Sequence, residues 1–220
     1  GSIKTPNSVS TKPAAAQFSL TETRSPQKTC HEIVVTLDRE KESPFFERIK
    51  RLGVATEGRN AETLSQATVV KALLKYISRS PAEDQEMLKR GKRLTSPTAD
   101  EESILIFRRF FIGSEDEKIA NIMWNYFDAV RQRWPSAWAS TVTGNILNRT
   151  NGFNGLMRFL RPAYRHFTTS EAAVSTNQFL SLFKKVKIDD AAFSADNYKP
   201  GTSGETAIYY DLVKWTNIEE

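Results

Sequence analysis

The 220-residue chain has one cysteine, Cys30, and two histidines, His31 and His166. A lone cysteine excludes an intrachain disulfide and the disulfide-framed secreted class, and points to a reducing, cytoplasmic compartment. Metal sites draw on clustered Cys, His, Asp and Glu at short spacing, and no such cluster occurs here, so neither a metal nor a cofactor is expected. No apolar run approaches the roughly 20 residues that span a bilayer, and the N-terminus lacks the apolar centre of a signal peptide, so no membrane partner is expected. The Gly-Lys-Ser/Thr ending of a phosphate-binding nucleotide loop is missing as well.

What is present is globular. Apolar residues make up 39% of the chain and charged residues 26%, with thirteen Phe and four Trp, enough for a core without staples. The opening Gly1-Ser2 resembles the scar of a removed tag, so the chain reads as a piece of something longer. Residues 1–24 read as an irregular arm, the tail of an upstream module, with a short helix around 14–20; residues 25–220 read as a helical domain with a soft boundary near 94–103.

Periodicity and capping signals predict a mainly α, irregular multi-helix domain of roughly seven to nine helices with little or no sheet. Ser-Pro pairs at 25–26, 43–44 and 80–81 mark helix starts, the Ser capping and the Pro filling the first turn. The second of these predicts a helix from Pro44 to about Leu52, closed by Gly53. Val69, Val70, Leu73, Leu74 and Ile77 form one stripe. Residues 104–112 are apolar enough for helix or strand. Ser114-x-x-Glu117 has the form of a capping box, followed by Ile119, Ile122, Met123, Tyr126, Phe127, Val130 and Trp134 at core spacing, with Pro135 ending the helix. A helix from Gly152 carries Phe153, Leu156, Met157 and Leu160 inward, and Pro162 is expected to end or kink it. Ser175 caps another, and a last helix bears Ile208, Tyr209, Leu212, Val213 and Trp215.

Net charge is only +5, but residues 131–187 hold nine basic groups against the single acid Glu171, between acidic flanks that carry seven acids to three bases (94–130) and seven to two (188–220). A polyanion needs a one-signed field, because each neutralised phosphate releases counterions and interspersed acids cancel the effect. The candidate nucleic-acid-binding residues are therefore Arg149, Arg158, Arg161, Arg165, Lys184, Lys185 and Lys187, with Arg158, Arg161 and Arg165 forming a helical stripe if the helix continues through Pro162. Trp134, Trp138, Phe153 and Tyr164 interleave with them, as stacking would require. The competing reading is a solvated helix face, paired cations and core aromatics.

Two further features carry chemistry in principle. Gly201 to Glu205 precedes a helix, so Thr202, Ser203 and Gly204 are anion-loop candidates, although ordinary capping by Thr202 or Ser203 explains them more simply. Cys30 beside His31 suggests a nucleophile and base, but neighbours on a helix point about 100° apart, and a half-buried thiol with a surface imidazole is the plainer reading.

Several phrases together resemble a known family: Ser-Pro-Gln-Lys-Thr-Cys-His-Glu-Ile at 25–33, Glu-Ser-Pro-Phe-Phe-Glu-Arg-Ile-Lys-Arg-Leu-Gly at 42–53, Thr-Leu-Ser-Gln-Ala-Thr-Val-Val-Lys at 63–71, Trp-Asn-Tyr-Phe at 124–127, Arg-Trp-Pro at 133–135, Asn-Arg-Thr-Asn-Gly-Phe at 148–153 with Leu156-Met157, and Gly-Thr-Ser-Gly at 201–204. They look like the C-terminal portion of the bacterial DGQHR domain family, over residues 20–215. That family includes regulators of DNA phosphorothioate modification. The resemblance implies a prokaryotic protein of DNA modification or defence and a helical C-terminal region. The Asp-Gly-Gln-His-Arg motif does not occur in this chain, so no catalytic residue is carried over.

The leading expectation is a DNA-binding helical module. The alternatives are a structural or oligomerising half that packs on a missing N-terminal module or on another copy, and, more weakly, a nucleotide-handling enzyme fragment.

Overall fold

The computed structural model describes residues 24–167 and 173–218. Of the described residues 59% are helical and 3% in strand, so the protein is a mainly α single domain; the ten α-helices among the described residues compare with the roughly seven to nine expected. The arm and the helix around 14–20 lie outside the described residues, except for Arg24.

Helix α1 (Pro26–Arg39) starts as its sequence dictates, with the Lys28 N–H donating to Ser25 Oγ and Pro26 in the first turn, and buries Cys30, Ile33, Val34 and Leu37. The helix expected from Pro44 does not form. Instead Phe45 turns into the core, Ile49–Lys50 (β1) pairs in parallel with Leu64–Ser65 (β2), and a 3-10 turn at Arg51–Gly53 lies between.

The cause is Asp38, which is 1% exposed. Its Oδ1 accepts the Ile49 N–H at 3.1 Å and its Oδ2 takes Arg51 at 3.0 Å and Arg59 at 2.8 Å, while its carbonyl accepts the Glu47 N–H at 3.1 Å. A buried carboxylate requires such partners. Supplying them folds residues 44–52 back against the end of α1 instead of letting them coil.

Helices α2 (Gln66–Leu74, capped by Ser65) and α3 (Pro81–Lys89) follow. The ambiguous run 104–112 is helical: it begins at the end of α4 (Ala99–Ile104), turns, and continues as α5 (Arg108–Ile112). Helix α6 (Asp116–Arg133) buries the predicted face but lacks the predicted capping box. Ser114 sits at φ 57°, outside cap geometry, and the helix opens at Glu115 with no side-chain cap bond. Arg24 reaches across to bond Asp116 and the Phe111 carbonyl, and Thr29 Oγ1 donates to Asp116 at 3.4 Å.

Pro135 does more than end α6, since it opens α7 (Pro135–Ala139). Helices α8 (Thr150–Phe167), α9 (Thr176–Phe183) and α10 (Thr202–Thr216) complete the domain. Ser175 and Gln178 form a capping box on α9, and α10 stops at Asn217, left-handed at φ 53°. α6 packs on α1, α5, α7 and α9, and α8 on α2, α9 and α10. Among the described residues the buried apolar side chains, Leu105 excepted, form one contiguous cluster from Cys30 to Ile218.

Asp38→Ala takes the carboxylate from the Ile49 amide and from Arg51 and leaves Arg59 only its longer pairs with Glu62 at 3.6 Å and Glu47 at 3.9 Å, and is expected to cost about 3–5 kcal/mol. Glu40→Ala, at an exposed neighbour, should stay within about 0.5 kcal/mol. Urea unfolding midpoints of the two variants against the parent measure the difference.

Candidate nucleic-acid interface

α8 runs uninterrupted through Pro162. A proline inside a helix costs about 3 kcal/mol, and the burial of Phe153, Leu156, Met157, Phe159, Leu160, Ala163 and Tyr164 offsets it. Two phenols anchor the preceding turn: Tyr126 Oη donates to the Leu156 carbonyl at 2.6 Å and Tyr76 Oη to that of Met157. Arg158, Arg161 and Arg165 therefore do share one helix. Arg158 is committed to α10, however, with Nη1 donating to Thr206 Oγ1 at 2.9 Å and its guanidinium 4.4 Å from the Tyr209 ring centroid. Arg161 is half-buried and Arg165 is exposed.

The other arginines of the basic block serve mainly the backbone. Arg133 donates to the carbonyls of Phe183 (3.2 Å), Val186 (2.7 Å) and Ile188 (3.0 Å), closing the C-terminal end of α9. Arg149 donates to the carbonyls of Thr141 at 3.1 Å and Val142 at 3.4 Å. Arg131 pairs with Asp128 at 2.6 Å and also reaches the Glu42 carbonyl. Lys184, Lys185 and Lys187, just beyond α9, are exposed.

The interleaved aromatics are not a stacking platform. Trp134, Trp138, Phe153 and Tyr164 are all buried. Both indole N–H groups are used inside, Trp134 on the Ile188 carbonyl at 2.8 Å and Trp138 on that of Pro44 at 2.9 Å. Helical spacing placed these rings in the core, where their area is worth most.

No protein-family model, curated protein or solved structure matches the chain.

At the 201–205 loop, α10 is capped by Gly201 at φ 92° with no side-chain cap bond, so neither Thr202 nor Ser203 is the cap that the sequence suggested. Gly204 is buried, and a Cβ there would lie 2.1 Å from the Lys199 carbonyl oxygen. Thr202 and Ser203 are exposed.

Cys30 is fully buried and His31 exposed. Burial, helped by the nearby Asp116 carboxylate, pushes the Cys30 thiol up to about 12. A nucleophile needs the thiolate, and this environment opposes it. Among the described residues no group of Cys, His, Asp and Glu is arranged to hold a metal, and no helix is long and apolar enough to cross a membrane.

Two residues outside the basic block join its end. The ammonium groups of Lys187 and Lys214 lie 5.6 Å and 6.0 Å from the ring centroid of Trp215. No spacing rule links positions 187 and 215; only the adjacent basic residue at 214 was a signal. Lys71, Lys75 and Arg79, at four-residue steps along α2 and its exit, are also exposed.

With its thiol protonated and enclosed, Cys30 in the native protein should resist iodoacetamide at pH 8 and react fully once the chain is unfolded in urea. Intact-mass spectrometry under the two conditions reads the outcome.

Proposed function

We propose that this chain is a helical module that binds nucleic acid by its phosphate backbone, through the exposed cations Arg165, Lys184, Lys185 and Lys187. The observation that carries the reading is that these four side chains are exposed and form no ion pair among the described residues. Arg131, Arg133, Arg149 and Arg158, by contrast, are engaged within the fold. An unpaired surface cation is free to replace the counterions of a phosphate, which is where sequence-independent affinity comes from.

The resemblance to the C-terminal portion of the DGQHR family supplies the setting, DNA modification or defence in a prokaryote. The reading as an assembling half has less behind it. The exposed large apolar side chains Val54, Ile104, Val142 and Tyr210 belong to four separate segments. The enzyme reading loses its nucleophile with the Cys30 thiol.

Anisotropy titration of a labelled duplex across a salt series tests the proposal. Affinity should fall as salt rises. The combined change Lys184→Glu, Lys185→Glu and Lys187→Glu should weaken binding on every sequence alike and flatten the log–log salt slope by about 0.9 for each phosphate that is no longer neutralised. Binding indifferent to salt and to these changes overturns it. Arg158 is unsuitable for this test, because its removal also breaks the bond to Thr206.

A further inference from the structure

We infer that Trp215 is a stacking platform for an unpaired nucleobase, with Lys187 and Lys214 taking the phosphates on either side of it. The inference rests on the nucleic-acid reading above and narrows its partner to single-stranded nucleic acid.

The four tryptophans have different fates. Trp134 and Trp138 are 0% and 1% exposed and donate their N–H groups inside the core. Trp124 is half-buried on α6, and no cation of the described residues lies over its ring. Trp215 is half-buried in the last turn of α10, and its N–H has no acceptor among the described residues. It alone of the four is approached by two lysines.

Lys214 is its chain neighbour, and a cation in a last helical turn complements the helix dipole in any case. Lys187 arrives from the segment after α9, brought there by the fold. Its neighbour Ile188 is held through its carbonyl by Arg133 and by the Trp134 indole. The second lysine is thus delivered by a fixed backbone.

An indole face attracts an ammonium through its negative π density, and the same face accepts a stacked base. When a base covers the ring, the two ammonium groups move to its rim, where a strand's phosphates run. Lys187 also lines a cavity of about 380 Å³ shared with Asp189, Asn197, Tyr198 and Asp211. Asp211 is held there by the Tyr198 hydroxyl at 2.8 Å. Two carboxylates keep phosphate out of this cavity but can accept the exocyclic amino group of a base. A duplex, whose bases are already stacked and paired, presents no free face to Trp215.

The test is anisotropy with a labelled 12-nucleotide single strand and the matching duplex, on the full chain and on Trp215→Leu and Trp215→Phe, with thermal melts of each. The single strand should bind more tightly than the duplex. Trp215→Leu should weaken single-strand binding roughly tenfold and duplex binding little, and Trp215→Phe, which keeps a ring, should recover most of that affinity. Should Trp215→Leu fail to fold, tryptophan emission decides: quenching by the single strand must disappear in Trp215→Phe.

Duplex binding that responds to the lysine changes at 184, 185 and 187, combined with single-strand binding indifferent to Trp215, overturns this inference alone. Equal weakening in the Leu and Phe variants also overturns it. Failure of the unaltered chain to bind either form overturns both this inference and the reading beneath it.

Discussion

Two adjacent rings on α6 hold the 43–46 turn, α7, α8 and α9 in place. Successive residues on a helix diverge by about 100°, so Tyr126 and Phe127 face different partners from one turn. Phe127 meets Phe45 at 4.7 Å, Trp138 at 5.5 Å and Phe153, nearly parallel, at 5.3 Å. Tyr126 meets Phe179 at 5.1 Å and Phe183 at 5.4 Å, and its hydroxyl ties down α8 at Leu156. Each such pair contributes about 0.5–1.5 kcal/mol beyond its buried area. One turn of α6 therefore fixes the 43–46 turn, α7, α8 and α9 together, and so decides where Arg165 and the lysines after α9 emerge.

Arginine does in this fold what water or a helix cap does elsewhere. Arg133 closes the end of α9 by taking three carbonyls with one fork, Arg149 holds the connection before α8, and Arg24 takes a carbonyl and a carboxylate while lying 4.2 Å over the Phe111 ring. A guanidinium suits this because its donors are fixed in a plane, whereas an ammonium would serve as a single point. Charge counted along the sequence therefore overstates charge offered to a partner. In the basic block it is mainly the lysines that reach solvent unpaired.

The helical faces were legible in the sequence because they depend on local spacing. α1, α6 and α9 bury the residues that their periodicity selects, α2 and α10 leave Val70, Leu74, Val213 and Trp215 half-buried, and helices start at the Ser-Pro pairs 25–26 and 80–81 as expected, the second without a side-chain cap bond. What was not legible depends on distant partners. Residues 44–52 carry a good helix signal and lose to the needs of Asp38. Pro162 carries a good stop signal and loses to the core around α8. The basic count was visible, but which arginines would face carbonyls was not, and neither was the meeting of Lys187 with Trp215.

Several residues of the phrases read as resembling the DGQHR family sit where backbone meets backbone. Asn148 is fully buried, with Nδ2 donating to the carbonyls of Trp138 and Ser140 and Oδ1 accepting from Asn145. A Cβ on Gly152 would lie 2.3 Å from the Ile146 carbonyl oxygen, and Gly204 is as tightly placed. Arg133, Trp134 and Pro135 close α9 and open α7. Those positions are demanded by the shape of the chain, whatever it binds. Lys184, Lys185, Lys187, Lys214 and Trp215 lie outside every one of the phrases. The proposed interface therefore stands on surface chemistry outside the phrases on which the expected resemblance rests. Each can fail without taking the other with it.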